Sequence, residues 1–310
     1  VLYSIDAASL GAFLLNHCMM CEISIMRVFR WSRACAAVLF LSSTLMIANV
    51  LLVLSQTLAL VSQRASKKIS REIGNAWWSL CVWVSESWYG IRPVFSGDQV
   101  PARENVLLIC NHQQMPDILF LFSLAIRKGR LGDTKWFLKS QLRWVPGIGW
   151  GLHFLDALFV KRDWNRDRAM IDRTFEKFIR LKIPLWLISF VEGTRITPEK
   201  LRKSQEFQRT LGSDPLQHVL YPRTKGFIAS VQGLRSHLDA VYDVTLAYPG
   251  GVPHLADVLL GHVQSFHLHL KRYEMPTLPE SETDLSAWLV QRFREKDSLL
   301  ERFRRSGSLS

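Results

Sequence analysis

The sequence predicts an α/β domain with a largely parallel sheet flanked by helices, carried behind a membrane-embedded N-terminal helical segment. Three observations lead there. From about residue 105 onward, short apolar runs alternate with amphipathic stretches, the pattern of strands interleaved with helices. The first of those runs are almost free of polar residues, as strands covered on both faces must be. Ahead of them, residues 34–62 form an apolar stretch with no charge, longer than the ~20 residues that cross a hydrocarbon layer.

That apolar stretch is read first. Each central Leu, Ile, Val or Phe favours insertion by roughly 0.3–0.6 kcal/mol, so together they contribute several. Arg27, Arg30 and Arg33 precede it, and Arg64, Lys67, Lys68 and Arg71 follow it. Positive charge marks the cytoplasmic side, and here it sits at both ends. The expectation is a helical hairpin that dips in and returns, with its break near Asn49; a single tilted span is the rival. Trp77, Trp78, Trp83, Trp88 and Tyr89 follow. Such rings suit the headgroup layer or packing against the domain. Residues 1–90 are thus assigned to a membrane-embedded and interfacial region, 91–275 to the α/β domain and 276–310 to a basic tail.

Within the domain, strands are expected at 106–110, 157–161, 185–190, 242–248 and 263–270. The last alternates, with Phe266, Leu268 and Leu270 on one face and His267, His269 and Lys271 on the other, as a half-exposed strand does. Residues 164–181 have helical periodicity, with Ile171, Phe175, Phe178 and Ile179 on one face. Thr197 and Pro198 read as the cap and first residue of another helix. Residues 285–305 form a basic amphipathic helix that packs on the domain or lies on anionic lipid.

Lys and Arg outnumber Asp and Glu by 39 to 27. That excess points to an anionic partner: a phosphate-bearing substrate, a membrane surface or nucleic acid. The basic residues are dispersed and carry no nucleic-acid motif, so nucleic acid is set aside. Cys18, Cys21, Cys35, Cys81 and Cys110 are odd in number, clustered early and set among apolar neighbours. They read as reduced packing residues rather than a disulfide framework, which fits a cytosol-facing domain.

Chemistry concentrates in three stretches. The first is NHQQMPD, residues 111–117, at the carboxyl end of the first domain strand, where ligands bind in open α/β sheets. Pro116 suits the first turn of a helix and disfavours a helical Met115, so the segment is a bent loop feeding a helix. A bend can bring Asp117 onto His112. A carboxylate on one ring nitrogen leaves the other free to take a proton, and an ordinary imidazole pKa of about 6.5 keeps it mostly neutral at pH 7. No G-x-S-x-G elbow is present, so the simplest target is a substrate hydroxyl. Taken alone, such a pair is more often structural than catalytic.

The second stretch is FVEGTR, residues 190–195, directly after another strand. Gly193 lets backbone approach a ligand, and Arg195 offers a planar fork for phosphate oxygens. Glu192 can instead neutralise Arg195 as an ion pair. The third is LYPRTKGF, residues 220–227, where Arg223 and Lys225 add positive charge; a solvated basic loop is the plain alternative. A metal site from His112, Asp117, His153 and Asp156 matches no recognised ligand spacing.

NHQQMPD followed by EGTR resembles the glycerophospholipid acyltransferase family, whose first block is N-H-x-x-x-x-D. FVKR, residues 159–162, looks like its second block, and LYPRTKGF with YDVTLAYPGG is similar to its eukaryotic lysophosphatidic acid acyltransferase branch. The likeness covers about residues 105–251. It implies acyl transfer from acyl-CoA to the free hydroxyl of a lysophospholipid, with lysophosphatidic acid as the expected acceptor. Lysophosphatidylinositol or lysocardiolipin, and a catalytically silent membrane-binding homologue, are the alternatives. His112 is then the general base and Asp117 orients it. Arg162, Glu192, Gly193, Thr194 and Arg195 form the acceptor-phosphate region, with Lys225 assisting. The resemblance implies no cofactor or metal, with acyl-CoA as co-substrate. It implies a phospholipid membrane as partner and the cytosolic face of the endoplasmic reticulum as location. Lys161 departs from the second block, where many relatives carry an acid or small residue.

Overall fold

The computed structural model describes residues 7–161 and 163–309. Helix α1 (Ala7–Thr57) is followed by a tight turn and helix α2 (Gln63–Trp83). Then come β1 (Arg92–Gly97), β2 (Val106–Cys110), α3 (Pro116–Arg127), β3 (Thr134–Lys139), α4 (Ile148–Phe154), β4 (Leu158–Val160) and α5 (Trp164–Arg180). The chain continues through β5 (Trp186–Ser189), α6 (Pro198–Thr210), α7 (Thr224–Leu234), β6 (Ala240–Ala247), α8 (Leu255–Leu259), β7 (Ser265–Glu274) and α9 (Glu282–Ser306).

The sheet has seven strands in the order β1-β7-β6-β2-β5-β3-β4. Every pairing is parallel except β6 with β7. A largely parallel sheet is therefore what the near-continuous apolar runs specify. The central strand β2 shows why. Val106, Leu108 and Cys110 point into one apolar core, beneath α2 and α3. Leu107 and Ile109 point into the other, beneath α5, α7 and α9. With both faces covered, no position can alternate to polar. The expected strands are all present. Strands β1 and β3 were not expected: β1 is an exposed edge without a strong apolar run, and Lys135 and Lys139 interrupt β3.

The N-terminal region departs from expectation. Helix α1 runs unbroken through Asn49 to Thr57, so the hairpin's break is not at Asn49. No Gly or Pro occurs between 34 and 62, and Asn49 Nδ2 donates to the helix's own Leu45 carbonyl at 2.9 Å. The chain reverses at residues 58–62, and Ser55 Oγ then meets Ser70 Oγ across the two helices at 2.9 Å. Two of the basic residues after the apolar run serve the protein rather than a membrane flank. Lys67 pairs with Asp156 at 2.8 Å and Arg71 with Asp133 at 3.2 Å. Residues 25–60 remain long and apolar enough to cross a membrane. Trp78 is core, stacked near Phe122 and edge-on to Trp136, whereas Trp83 is exposed.

Helix α9 packs on the domain. Its Leu285, Leu289, Phe293, Leu300 and Phe303 line the second core. Lys296 falls on that same apolar stripe and is 1% exposed. Its ammonium donates to Asp243 Oδ1 at 2.6 Å, to the Val244 carbonyl at 2.6 Å and to Thr245 Oγ1 at 3.2 Å. Breaking a buried ion pair leaves a charge stranded, whereas replacing both partners does not. Lys296→Met should therefore destabilise the fold by about 3–5 kcal/mol, read as a lower melting temperature in detergent micelles. The double change Lys296→Met with Asp243→Val should recover most of that loss.

Candidate active site

Strand β2 ends at Cys110, and the next residue ties the loop to its neighbour. Asn111 Oδ1 accepts from the Leu246 amide at 2.8 Å, and its Nδ2 donates to the Leu246 carbonyl at 2.9 Å. The loop then bends into α3. Met115 is helical, at φ −57° and ψ −39°, contrary to the expectation set by the following proline. The amides of Asp117 and Ile118 donate back to the carbonyls of Gln114 and Met115, and this turn overrides the local bias.

The bend brings Asp117 onto His112. Asp117 Oδ2 accepts from His112 Nδ1 at 2.9 Å and from the amides of Gln113 and Gln114 at 2.6 and 2.8 Å. Its Oδ1 accepts from the Tyr248 hydroxyl at 2.5 Å. The carboxylate is fully buried, and these donors take the place of water. Burial beside Asp117 pushes the Tyr248 phenol well above its ordinary pKa, so it stays a donor. An ionised carboxylate can only accept, so the shared proton is on Nδ1 and Nε2 of His112 is left with its lone pair. The ring lies flat on Phe190, with centroids 3.9 Å apart and an interplanar angle of 18°.

The second stretch leaves β5 beside this loop and is laced to it. The Ile196 amide donates to the His112 carbonyl at 2.9 Å. Glu192 Oε1 accepts from the His112 amide at 2.7 Å, and Oε2 from the Leu220 amide at 2.9 Å. Glu192 is therefore a clasp between three loops, with its oxygens on backbone amides. It is buried with both oxygens committed, so it does not neutralise Arg195. Burial pushes its carboxyl up to about 8, against the two amides that hold it down. Arg195 Nη1 donates instead to Gln114 Oε1 at 2.6 Å, so the guanidinium and the imidazole belong to one cluster. Thr194 Oγ1 accepts from Lys200 Nζ at 2.7 Å.

Gly193 has φ +72°, and a Cβ there would lie 2.9 Å from Cδ and 3.0 Å from Nε of Arg223. Only a glycine gives both the left-handed turn and the space for that side chain. Lys225 is exposed in the first turn of α7, two residues beyond Arg223, with no contact to His112 or Arg195 among the described residues. Arg162 lies outside the described residues. Asp156 pairs with Lys67 and Lys177 rather than joining His112 and Asp117. Among the described residues no group of three potential metal ligands forms.

Beside the imidazole loop opens an apolar cavity of about 320 Å³. Met115, from that loop, lines it together with Leu45 and Asn49 of α1, Trp78 of α2, Phe122 of α3 and Leu152 of α4. Sequence reasoning missed this cavity and the parts played by Tyr248 and Phe190; it picked out Arg223 as a positive charge but not its place over Gly193. Tyr248 and Phe190 ended strands already recognised, but a strand end names no partner. The cavity exists only between elements distant in the chain.

Residues 92–248 match the family described as Acyltransferase, and residues 257–310 match the one described as Acyltransferase C-terminus. The chain is 36% identical over 287 residues to the probable 1-acyl-sn-glycerol-3-phosphate acyltransferase 5 of Arabidopsis thaliana, covering 92% of this chain and 76% of that protein. It is 34% identical to 1-acyl-sn-glycerol-3-phosphate acyltransferase 2 of Brassica oleracea, covering 78% of this chain and 63% of the relative. It is also 34% identical to lysocardiolipin acyltransferase 1 of Danio rerio, covering 79% of this chain and 64% of that one.

The clasp at Glu192 carries a pH signature. Its folded pKa lies above that of a free carboxyl, so the folded protein holds more protons between about 4.5 and 8. Stability should fall as pH rises through that window. The melting temperature should drop from pH 5 to pH 8, and Glu192→Gln, though less stable throughout, should show a shallower drop.

Proposed function

The chain belongs to the glycerophospholipid acyltransferase family, and we propose that it transfers an acyl group from acyl-CoA to the free hydroxyl of lysophosphatidic acid. The observation that carries this reading is the 2.9 Å contact of His112 Nδ1 with the buried Asp117, in one cluster with Arg195 and beside an apolar cavity. Nε2 of His112 is the base. It takes the proton of the acceptor hydroxyl as that oxygen attacks the thioester carbonyl. The tetrahedral intermediate collapses, the C–S bond breaks, and the imidazolium returns the proton to the departing CoA thiolate. Asp117 holds the tautomer and offsets the charge that forms on the ring. The thioester is already activated, so no covalent enzyme intermediate or metal is invoked.

The guanidinium of Arg195 suits the acceptor phosphate, and its hydrogen bond to Gln114 keeps it beside the imidazole. Arg223, laid over Gly193, adds charge beside it, and the exposed Lys225 of α7 is assigned an assisting role. The cavity, with Met115 at its edge, suits an acyl chain. The apolar α1 supports a seat at a membrane, and we assign the catalytic cluster to the cytosolic face of the endoplasmic reticulum. The free thiols of Cys35, Cys81 and Cys110 fit that side.

The acceptor has a second reading, because relatives of nearly equal identity are named for lysophosphatidic acid and for lysocardiolipin. Purified protein given acyl-CoA and a panel of lysolipids should release CoA fastest with lysophosphatidic acid. Turnover of lysocardiolipin alone would move the acceptor, and no turnover with any lysolipid would end the acyltransfer reading. His112→Ala should lower kcat at least about a hundredfold with the fold intact.

A further inference from the structure

Between β3 and β4 the chain makes two short helical turns, residues 140–144 and α4, and the second packs against the C-terminal part of α1. Gly147 and Gly151 make the contact close. A Cβ on Gly147 would lie 3.5 Å from Leu45, and one on Gly151 would lie 3.5 Å from Asn49 and 3.7 Å from Leu52. Asn49 and Leu52 lie about 12 and 8 Å along the helix axis from the end of α1 at Thr57, at 1.5 Å per residue. Whatever the tilt of α1, a segment pressed there shares the depth of its last turns, next to the reversal at residues 58–62.

The outer side of the segment is apolar and uncovered. Trp144 is 77% exposed, Trp150 53% and Ile148 50%, with Leu142 and Val145 also exposed. They extend the exposed apolar face of α1, where Met46, Ile47, Val50, Leu51, Val53 and Leu54 lie open. A folded domain rarely leaves two tryptophans and three aliphatic side chains together in water. Residues 139–155 hold no acid, and their cations are Lys139 and Arg143, which suits anionic headgroups. The backbone is compatible with a shallow position. The amides of Val145, Ile148, Gly149 and Gly151 all donate within the segment, and Pro146 has none to satisfy.

We propose that segment 142–150 is a second membrane-docking element, seating Trp144 and Trp150 at the boundary between headgroups and hydrocarbon beside α1. Tryptophan prefers that layer because its body is apolar and its N–H is polar. The occupant is a phospholipid bilayer. The membrane interface already offered by α1 is continuous with this surface. The consequence is that the globular domain is held to the bilayer at two points, with the mouth of the apolar cavity between α1 and α4 turned to lipid.

The first arm of the test needs no turnover and so stands apart from the proposed reaction. The full chain is reconstituted in phosphatidylcholine–phosphatidylglycerol vesicles whose acyl chains carry bromine. Emission is compared between the native protein and the double variant Trp144→Phe, Trp150→Phe. The difference, which belongs to these two rings, should be quenched by acyl-chain bromine and shielded from iodide in the buffer. Quenching by iodide alone overturns the proposal. So does protection from both quenchers, which would mean that protein, such as a second copy, covers the surface. In a second arm, Trp144→Glu with Trp150→Glu should lower turnover in vesicles by about tenfold and leave turnover in detergent micelles within about twofold. An equal loss in both media would assign the two rings to internal packing and refute docking.

Discussion

The site depends on the cost of burying one carboxylate. Asp117 has no exposure to solvent, and an ion in that position must be given donors or lose its charge. The chain supplies four: an imidazole, two successive amides and a phenol from the far end of β6. Meeting that demand fixes everything near it. The two amides set the bend of the loop after β2, the imidazole is held in one tautomer, and Tyr248 pins the loop to the sheet. The same contacts that keep the carboxylate satisfied leave Nε2 of His112 outside the bonds made to Asp117.

A second buried carboxylate organises the next layer. Glu192 spends both oxygens on amides from two other loops, one of them that of His112. It therefore sets the distance between the imidazole and the EGTR turn. The turn in turn carries Arg195 to Gln114 and opens space at Gly193 for Arg223. Positive charge gathers at one rim because the neighbouring acids are already committed to backbone donors. Lys296 sits on the far side of the same sheet end and pairs with Asp243, so the carboxylates of this region are balanced from within the core.

The apolar half of the molecule is equally tied to the polar half. Helices α1 and α2 do not stand apart from the domain: they form one wall of the cavity that Met115 borders from the loop after β2. Polar and apolar surfaces make opposite demands on their surroundings. The fold meets both by placing the polar cluster where the strands end and the apolar walls where α1 docks.

Much of this was legible in the residues. The parallel sheet followed from apolar runs that need cover on two faces. The imidazole, the acid and the guanidinium followed from strand ends that carry them in a recognisable order. Glu192 was recognised, but its hold on two backbone amides was not, because a sequence shows a charge without showing which donors surround it. Asn49 was taken for a break because a polar residue in an apolar run looks like one, yet its amide closes on the helix's own carbonyl. The sequence by itself determined the sheet type, the strands that carry strong apolar runs and the chemical identity of the groups at the strand ends, all of which rest on local pattern and side-chain chemistry. Only the tertiary structure decided that Tyr248 and Phe190 flank the imidazole, that Arg223 crosses Gly193 and that a cavity opens beside them. Those are contacts between residues far apart in the chain, set by how buried charges and apolar faces are satisfied together.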